Sequence, residues 1–280
     1  MTSLGDMLKA EGLWARRALG QHFLLDPSIN ARIAALAGPL QGQTVIEVGP
    51  GPGGLTRALL DAGAAHVIAI EKDKRFVEFL MPRALESSGR LHIAEADALS
   101  ADEEVLLQAV GAARAIIVAN LPYNVGTPLL VKWLKAGAWR GPMILMFQKE
   151  VAQRIVAAPD ESAYGRLAVL GQAVCSADIV MTLPPGAFTP PPKVDSAVVR
   201  LDTLPSPYPH LDALERVTAA AFGQRRKMLR SSLSLLMGPD ATAILESVGI
   251  DPAARAETLS VAQFLALTNA LIARGVLKVF

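Results

Sequence analysis

The sequence predicts an α/β fold in which a mostly parallel sheet is covered by helices on both faces, followed by a smaller all-α domain. From about residue 43, short apolar runs alternate with helical patterns at the spacing of βαβ units, which favours a parallel sheet. After the proline-rich stretch TLPSPYPH, which begins at Thr203, only helical patterns follow. We therefore predict one domain over residues 1–206 and a small helical domain over residues 207–280.

The strand candidates are short apolar runs that end in Gly, Asn or a charge. Five of them alternate with helices: TVIEV from Thr44, HVIAIE from His66, RLHIAEAD from Arg90, AIIVAN from Ala115 and PMILMFQ from Pro142. Two more, VCSADIVMTL from Val174 and SAVVRLD from Ser196, have no clear helix between them. We predict that these two pair antiparallel at the sheet edge, which brings the sheet to seven strands.

The helices between the strands carry start and stop signals. The patterns are LTRALLDAG from Leu55, DKRFVEFLMPRALES from Asp73, PLLVKWLKAG from Pro128 and KEVAQRIVAA from Lys149. Asp73 is a predicted N-cap, and Pro82 is expected to make its helix irregular. In the second domain, helical patterns cover residues 211–221, 225–237, 241–247 and 261–273, whereas residues 1–30 give no clear pattern.

Composition limits the class of protein. The chain has 280 residues, is 51% hydrophobic and carries a net charge of +1, so the charge alone gives no support for nucleic-acid binding. The single cysteine, Cys175, excludes an intramolecular disulfide and a multi-cysteine metal site. No apolar run approaches the ~18 residues that span a bilayer, and the N-terminus lacks a signal-peptide pattern. We therefore expect a cytoplasmic protein.

A glycine-rich loop, EVGPGPGG from Glu47, closes the first strand and opens a helix. Gly49, Gly51 and Gly54 have the spacing of the dinucleotide fingerprint, in which the backbone approaches a ligand closely. Glu71 ends the second strand 22 residues after Gly49, where an acid accepts hydrogen bonds from ribose hydroxyls. NAD and S-adenosylmethionine both fit this pattern.

Glu47, the spacing of the glycines and then Asp97 shift the balance toward the methyl donor. The glycines at positions 49, 51 and 53 form a looser loop than a pyrophosphate cradle needs. Glu47 stands two residues before the first glycine, where a dinucleotide site usually keeps an apolar residue. Asp97 follows the third strand, where it can accept a hydrogen bond from the exocyclic amine of an adenine. An Asx turn or a helix N-cap explains Asp97 alone equally well.

The fourth strand ends in Asn120, Leu121, Pro122 and Tyr123, at the same predicted sheet edge. Pro122 turns Leu121 away from helical dihedrals, so the Leu121 carbonyl can face the cleft beside the Asn120 side-chain oxygen. Two acceptors match the two N–H groups of an exocyclic amine and aim its lone pair at a sulfonium methyl. Tyr123 offers a face on which a base stacks. The competing interpretation is a strand ending in a proline turn with a packed tyrosine.

Taken in chain order, these motifs resemble the ribosomal RNA adenine N6-dimethyltransferases, and most closely the bacterial KsgA-type enzymes of the small subunit. Besides Glu71 and Asp97, the matching segments are LGQHFL from Leu19, EVGPGPGGLT from Glu47, NLPYN from Asn120, QKEVAQRIVA from Gln148, AYGRL from Ala163, FTPPPKVDSAVVRL from Phe188 and AFGQRRKMLRSSL from Ala221. The resemblance covers about residues 16–265. NLPY and FTPPPKVDS are its specific parts, whereas the glycine loop is common to many families.

The resemblance implies a Rossmann-like class I methyltransferase fold with an antiparallel last strand. It also implies transfer of methyl groups from S-adenosylmethionine to N6 of two adjacent adenosines near the 3′ end of 16S rRNA, within the pre-30S subunit during late assembly. No metal and no membrane partner is expected. The implied cofactor residues are His22, Leu24, Gly49, Gly51, Glu71, Asp97 and Asn120. Many members carry Asn in place of His22, and both residues can donate to a carboxylate, so we expect binding to be retained.

The implied target-base residues are Asn120, Leu121, Pro122 and Tyr123. Phe188 resembles a second aromatic residue of the family near the target base, and a core position explains it equally well. Arg225, Arg226 and Lys227 lie in FGQRRKMLRSSL, which we predict to be a helix along rRNA phosphates, although a solvated helix face also explains the run.

Three other hypotheses remain at this point. The chain could be a ribosome-assembly or nucleic-acid-binding factor without catalysis, or an adenine N6-methyltransferase of large-subunit rRNA. An NAD-dependent oxidoreductase is allowed by the glycine loop alone.

Overall fold

The computed structural model describes residues 3–15, 20–224 and 226–278. The chain divides into two compact units. The sheet unit consists of Met1–Ala152 and Asp178–Asp202, and the helical unit consists of Gln153–Ala177 and Thr203–Phe280.

The sheet unit is built on a seven-stranded sheet of order β4-β3-β2-β5-β6-β9-β7. Its strands are β2 (Thr44–Val48), β3 (His66–Glu71), β4 (Leu91–Glu95), β5 (Ala115–Asn120), β6 (Arg140–Gln148), β7 (Cys175–Leu183) and β9 (Ser196–Thr203). Strands β2 to β6 run parallel, and β9 runs antiparallel to β6. The predicted seven-stranded, mostly parallel sheet with an antiparallel last strand is therefore confirmed.

Helices cover this sheet, and two short strands lie apart from it. The helices that begin in this unit are α1 (Leu4–Ala10), α2 (Pro27–Ala35), α3 (Gly54–Asp61), α4 (Lys74–Glu86), α5 (Glu103–Ala109), α6 (Gly126–Leu134) and α7 (Lys149–Val156). The short strands β1 (Phe23–Leu24) and β8 (Phe188–Thr189) pair antiparallel. All five residues of β2 are buried, as expected for a strand covered on both faces.

Two local predictions for this unit need correction. Residues 1–30 gave no clear pattern, yet the described residues of this range form α1, β1 and the first four residues of α2; the side chains of Ser3 and Asp26 cap the two helices. Helix α4 begins at its predicted cap, Asp73, and runs unbroken past Pro82. Its inner face, Phe76, Val77 and Leu80, is buried in the core of the unit, which holds the helix together where Pro82 removes one backbone hydrogen bond.

The helical unit contains α8 (Arg166–Gln172), α9 (Leu211–Phe222), α10 (Leu229–Ser232), α11 (Ser234–Met237), α12 (Ala241–Ser247) and α13 (Val261–Ala273). The predicted boundary after residue 206 misses one segment, because residues 153–177 belong to this unit. Most of α8 is buried, and α8 packs on α9 and α13, which accounts for the grouping.

The predicted helix over residues 225–237 is wrong in its first part. Residues 226–228 are not helical, and the remainder forms two one-turn helices, α10 and α11. The Leu229 N–H donates to the Ala254 carbonyl at 2.8 Å, and the Arg230 N–H donates to the Pro252 carbonyl at 3.1 Å. These donors are used by another segment, so they cannot bond to the preceding helical turn.

Among the described residues, none of the helices combines the length and the apolar character that crossing a membrane requires.

Replacing Tyr164 with phenylalanine is expected to lower the free energy of unfolding by about 1–2 kcal/mol. Tyr164 is fully buried in the helical unit, and its hydroxyl donates to the Leu259 carbonyl at 2.9 Å. The substitution keeps the ring and removes this donor. Urea denaturation measures the effect. Tyr208→Phe is the matched control, because its hydroxyl donates to Asn269 at the surface; equal losses in both variants would contradict the prediction.

Candidate active site

One pocket of the sheet unit brings together most of the predicted site residues. It opens at the carboxyl ends of β2, β3 and β5, where parallel sheets place ligands. The predicted residues that line it are His22, Leu24, Gly49, Gly51, Glu71, Asp97, Asn120, Leu121, Pro122 and Tyr123. The structure thus brings all the predicted cofactor residues and the whole NLPY segment to one place.

The glycine loop between β2 and α3 needs its glycines for two different reasons. Gly51 has φ +51°, a left-handed conformation that other residues rarely adopt. At Gly54, a Cβ would lie 2.8 Å from the Leu24 carbonyl oxygen and 2.7 Å from the Asn30 amide nitrogen. The loop backbone therefore packs directly against the segment that contains Leu24, and a ligand can approach that backbone closely.

Glu71 fixes this loop from the neighbouring strand. Its side chain is buried, with Oε2 accepting from the Gly51 N–H at 3.1 Å and Oε1 accepting from the Asp73 N–H at 2.8 Å. Burial is the main cause that raises the pKa of Glu71. Each carboxylate oxygen has a second lone pair, so Glu71 can still accept from ribose hydroxyls.

Glu47 is a second buried acid in the wall of the pocket. It is 1% exposed, and its Oε2 has no hydrogen-bond partner among the described residues. Burial is the main cause that raises the pKa of Glu47 to about 8; the adjacent Thr56 opposes this shift, and the Glu71 carboxyl adds to it. The carboxyl is therefore protonated at neutral pH, which the sequence did not indicate.

Asp97 lies at the pocket rim in the loop after β4. Its side chain is 37% exposed and lies 2.7 Å from the Lys72 ammonium, which is the main cause that lowers the pKa of Asp97. The other carboxylate oxygen accepts from the Leu99 N–H at 3.0 Å. Asp97 thus makes the Asx turn that was its alternative explanation, and it also presents a negative charge to the pocket.

The side chain of Asn120 is oriented by the main chain of His22. Its Nδ2 donates to the His22 carbonyl at 3.0 Å, which leaves Oδ1 to accept from a ligand. The Tyr123 hydroxyl shares a hydrogen bond of 2.6 Å with the Ser196 hydroxyl, and the Tyr123 ring stacks on the His22 ring with centroids 5.4 Å apart. His22 therefore occupies one face of the Tyr123 ring, so a base could stack only on the opposite face.

The His22 ring is held by a segment far along the chain. Its Nδ1 lies 2.8 Å from the Pro190 carbonyl oxygen, which only accepts, so Nδ1 carries a proton. In the neutral ring Nε2 is then an acceptor, and only the imidazolium donates from both nitrogens.

The remaining predicted residues lie elsewhere. Phe188 is buried in the hydrophobic core with Leu24 and does not line the pocket, which favours the core explanation of this residue. Arg226 and Lys227 are exposed in the non-helical stretch after α9, so the prediction of a basic helix there is wrong. Arg225 lies outside the described residues.

The structure adds partners that the motifs did not single out. Pro190 and Ser196 both belong to the FTPPPKVDS segment, from which only Phe188 was chosen. Within the described ranges, no group of three or more His, Cys, Asp or Glu side chains is arranged to hold a metal ion.

Comparison with known proteins agrees with this geometry. The sequence model described as Ribosomal RNA adenine dimethylase matches residues 12–273. Proteins named Ribosomal RNA small subunit methyltransferase A are similar: the one from Phenylobacterium zucineum is 58% identical, with 98% of this chain and 94% of that protein covered. The one from Rhodopseudomonas palustris is 55% identical, with 96% and 94% covered.

Two solved structures resemble the whole chain. The dimethyladenosine transferase from Plasmodium falciparum is 26% identical, with a TM-score of 0.78, and the match covers 91% of this chain and 98% of that one. The 23S rRNA methyltransferase ErmE is 26% identical, with a TM-score of 0.66 and coverage of 89% and 99%. The pocket geometry, the family match over most of the chain and these relatives together lead to one conclusion: the chain belongs to the ribosomal RNA adenine dimethylase family.

Proposed function

We propose that this protein transfers methyl groups from S-adenosylmethionine to N6 of two adjacent adenosines near the 3′ end of 16S rRNA, in the cytoplasm and within the pre-30S subunit. The observation that carries the proposal is the arrangement around Asn120. Its side-chain oxygen is left to accept, and Asn120 and Tyr123 both line the pocket that contains the glycine loop.

The residues of the pocket suit the cofactor. Glu71 and Asp97 both line the pocket, which supports a role for Glu71 in accepting from ribose hydroxyls and for Asp97 in accepting from the adenine amine. The bound cofactor supplies an electrophilic methyl group on a sulfonium, so no metal and no strong general base is required. The glycine loop and Leu24 give the cofactor its backbone contacts.

The protein's part in the reaction is to position the target amine. The lone pair of an adenine N6 is delocalised into the ring, which makes it a poor nucleophile. Asn120 Oδ1 and the Leu121 carbonyl accept hydrogen bonds from its two N–H groups and localise the lone pair toward the methyl group. The new N6–methyl bond forms as the sulfur–methyl bond breaks, the thioether of the spent cofactor leaves, and N6 then loses one proton to solvent. Orientation of this kind supplies several kcal/mol of the barrier, and stacking on Tyr123 holds a base that has left its own stack.

We assign the rRNA contact to the helical unit, which contains the whole of the predicted domain over residues 207–280. Arg226 and Lys227 are exposed there in an irregular segment, where they can reach phosphates without the constraint of a helix. The names of the 55–58% identical relatives favour the small subunit over the large-subunit alternative.

The test is transfer of labelled methyl groups from S-adenosylmethionine to unmethylated small subunits, followed by mapping of the modified nucleotides. We expect label on N6 of two adjacent adenosines near the 3′ end of 16S rRNA. Label on large-subunit rRNA would support the alternative target. A protein that binds small subunits but shows no S-adenosylmethionine binding by calorimetry would be an assembly factor without catalysis.

A further inference from the structure

One side chain of α6 holds the loop that follows β4. The Lys132 ammonium donates to the Ala98 carbonyl at 2.8 Å, to the Ala101 carbonyl at 2.6 Å and to the Glu103 carboxylate at 2.8 Å. An ammonium has three N–H groups, so these three acceptors use all of them. The carbonyls of Ala98 and Ala101 are therefore held by α6, in addition to the hydrogen bonds inside the loop, where the N–H groups of Leu99, Ser100 and Ala101 donate to Asp97.

Glu103 makes this attachment stronger than a surface ion pair. Its side chain is buried, and the oxygen that contacts Lys132 also accepts from the indole N–H of Trp133 at 2.9 Å. Lys132 itself is only 27% exposed at its side chain. A buried carboxylate with two donors gives Lys132 a defined position, from which it reaches the two loop carbonyls.

This attachment joins two walls of the pocket. Ala98 directly follows Asp97, and Ala98 and Leu99 both line the pocket. Helix α6 begins three residues after Tyr123, so Lys132 belongs to the helix that continues from the target-base segment. Moving the Ala98 carbonyl would move the carboxylate of its neighbour, Asp97.

We propose that Lys132 is a positioning residue that sets the place of the Asp97 carboxylate, and thereby the selectivity of the cofactor site for a purine that carries an exocyclic amine. This inference rests on the proposed function, because it takes Asp97 to contact the cofactor's adenine. If Lys132 had a purely structural role, its loss would lower stability and reduce the binding affinity for every ligand equally. If Lys132 is a positioning residue, its loss changes the ratio of the affinities for two purine ligands.

The test compares two ligands in calorimetry with the full chain: S-adenosylhomocysteine and S-inosylhomocysteine, in which a carbonyl replaces the amine. We expect the wild type to prefer the adenine ligand by about tenfold or more, because its amine donates to a carboxylate. In Lys132→Met, which keeps the length and loses the charge, we expect adenine affinity to fall and the preference to approach one. Lys135→Met, on the exposed end of the same helix, should keep the wild-type preference.

Lys132→Met leaves the buried Glu103 carboxylate without its ion-pair partner, which could destabilise the fold. The double variant Lys132→Met/Glu103→Gln therefore removes that charge and keeps a side-chain oxygen that accepts from Trp133. Thermal unfolding of the double variant tests whether the fold is intact. Its affinity ratio between the adenine and the inosine ligand should also approach one. A wild-type preference retained in this variant, with both affinities reduced equally, would overturn the inference and leave the proposed function standing. Failure of the wild type to bind S-adenosylhomocysteine would instead overturn the proposed function.

Discussion

Asn120→Ala is expected to reduce methyl transfer to unmethylated small subunits by about 100- to 1,000-fold, the range seen when one hydrogen-bonding group at the reacting atom is removed. The substitution deletes the oxygen that we propose accepts from the target amine. It also deletes the amide nitrogen that donates to the His22 carbonyl at 3.0 Å, so the segment around His22 loses one of its attachments to β5. Single-turnover assays with labelled S-adenosylmethionine measure the loss.

Two further measurements divide this effect between the cofactor and the target base. Calorimetry with S-adenosylhomocysteine reports the cofactor role that the family resemblance gives to Asn120, and circular dichroism reports the fold. Asn269→Ala, an exposed position of the helical unit, is the matched substitution and should retain wild-type rate. A wild-type rate in Asn120→Ala would show that the amide does not hold the reacting amine.

The parts of the fold that could be predicted are those with strong local signals. The run TVIEV followed by GPGPGG predicts a buried strand and a loop whose backbone a ligand can approach closely. Apolar β-branched residues and closely spaced glycines determine the backbone conformation within a few residues of themselves. Asp73 likewise caps α4 through the N–H of Arg75, two residues away. Since the carboxyl ends of parallel strands meet at one edge, the places of Glu71 and Asn120 followed from the topology.

The parts that could not be predicted depend on partners far along the chain. Phe23 pairs with Thr189, and two-residue strands carry no periodicity that would reveal such a pair. Residues 225–237 have a helical pattern, but the N–H groups of Leu229 and Arg230 donate to Ala254 and Pro252 in a distant segment. Phe188 has the composition of either a core or a pocket residue, and only packing decides between them.

The same limit applies to the contacts that position the site. The contacts of His22 with Pro190, Tyr123 with Ser196 and Lys132 with Ala98 join residues that are distant in sequence. Motifs therefore identified groups that line the pocket, whereas the groups that orient them became visible only in the structure. Glu47 shows this most clearly, because its position in the glycine-loop motif said nothing of its protonation.

We expect the free energy of unfolding of Glu47→Gln to exceed that of the wild type by an amount that grows as the pH rises from 4.5 to 8. The pKa of Glu47 is about 8 in the folded protein and 4.5 as its ordinary value, so the folded state binds more protons across this interval. The free energy of unfolding of the wild type then falls with pH, by at most about 1.4 kcal/mol per pH unit from this group. Over the whole interval from pH 4.5 to 8, this group lowers the wild-type free energy of unfolding by at most about 5 kcal/mol.

The measurement is urea denaturation of both proteins without cofactor at several pH values between 5 and 8. Below pH 4.5 the protonated carboxyl and the amide are similar in size and polarity, so the two stabilities should converge. Burial also raises the pKa of Glu71, which remains in both proteins, so the difference between the two curves reports Glu47. Glu86→Gln replaces an exposed carboxylate and should run parallel to wild type. Parallel curves for Glu47→Gln would mean that Glu47 is already ionised in the folded protein, and a compensating cation or water would then have to stabilise the buried charge.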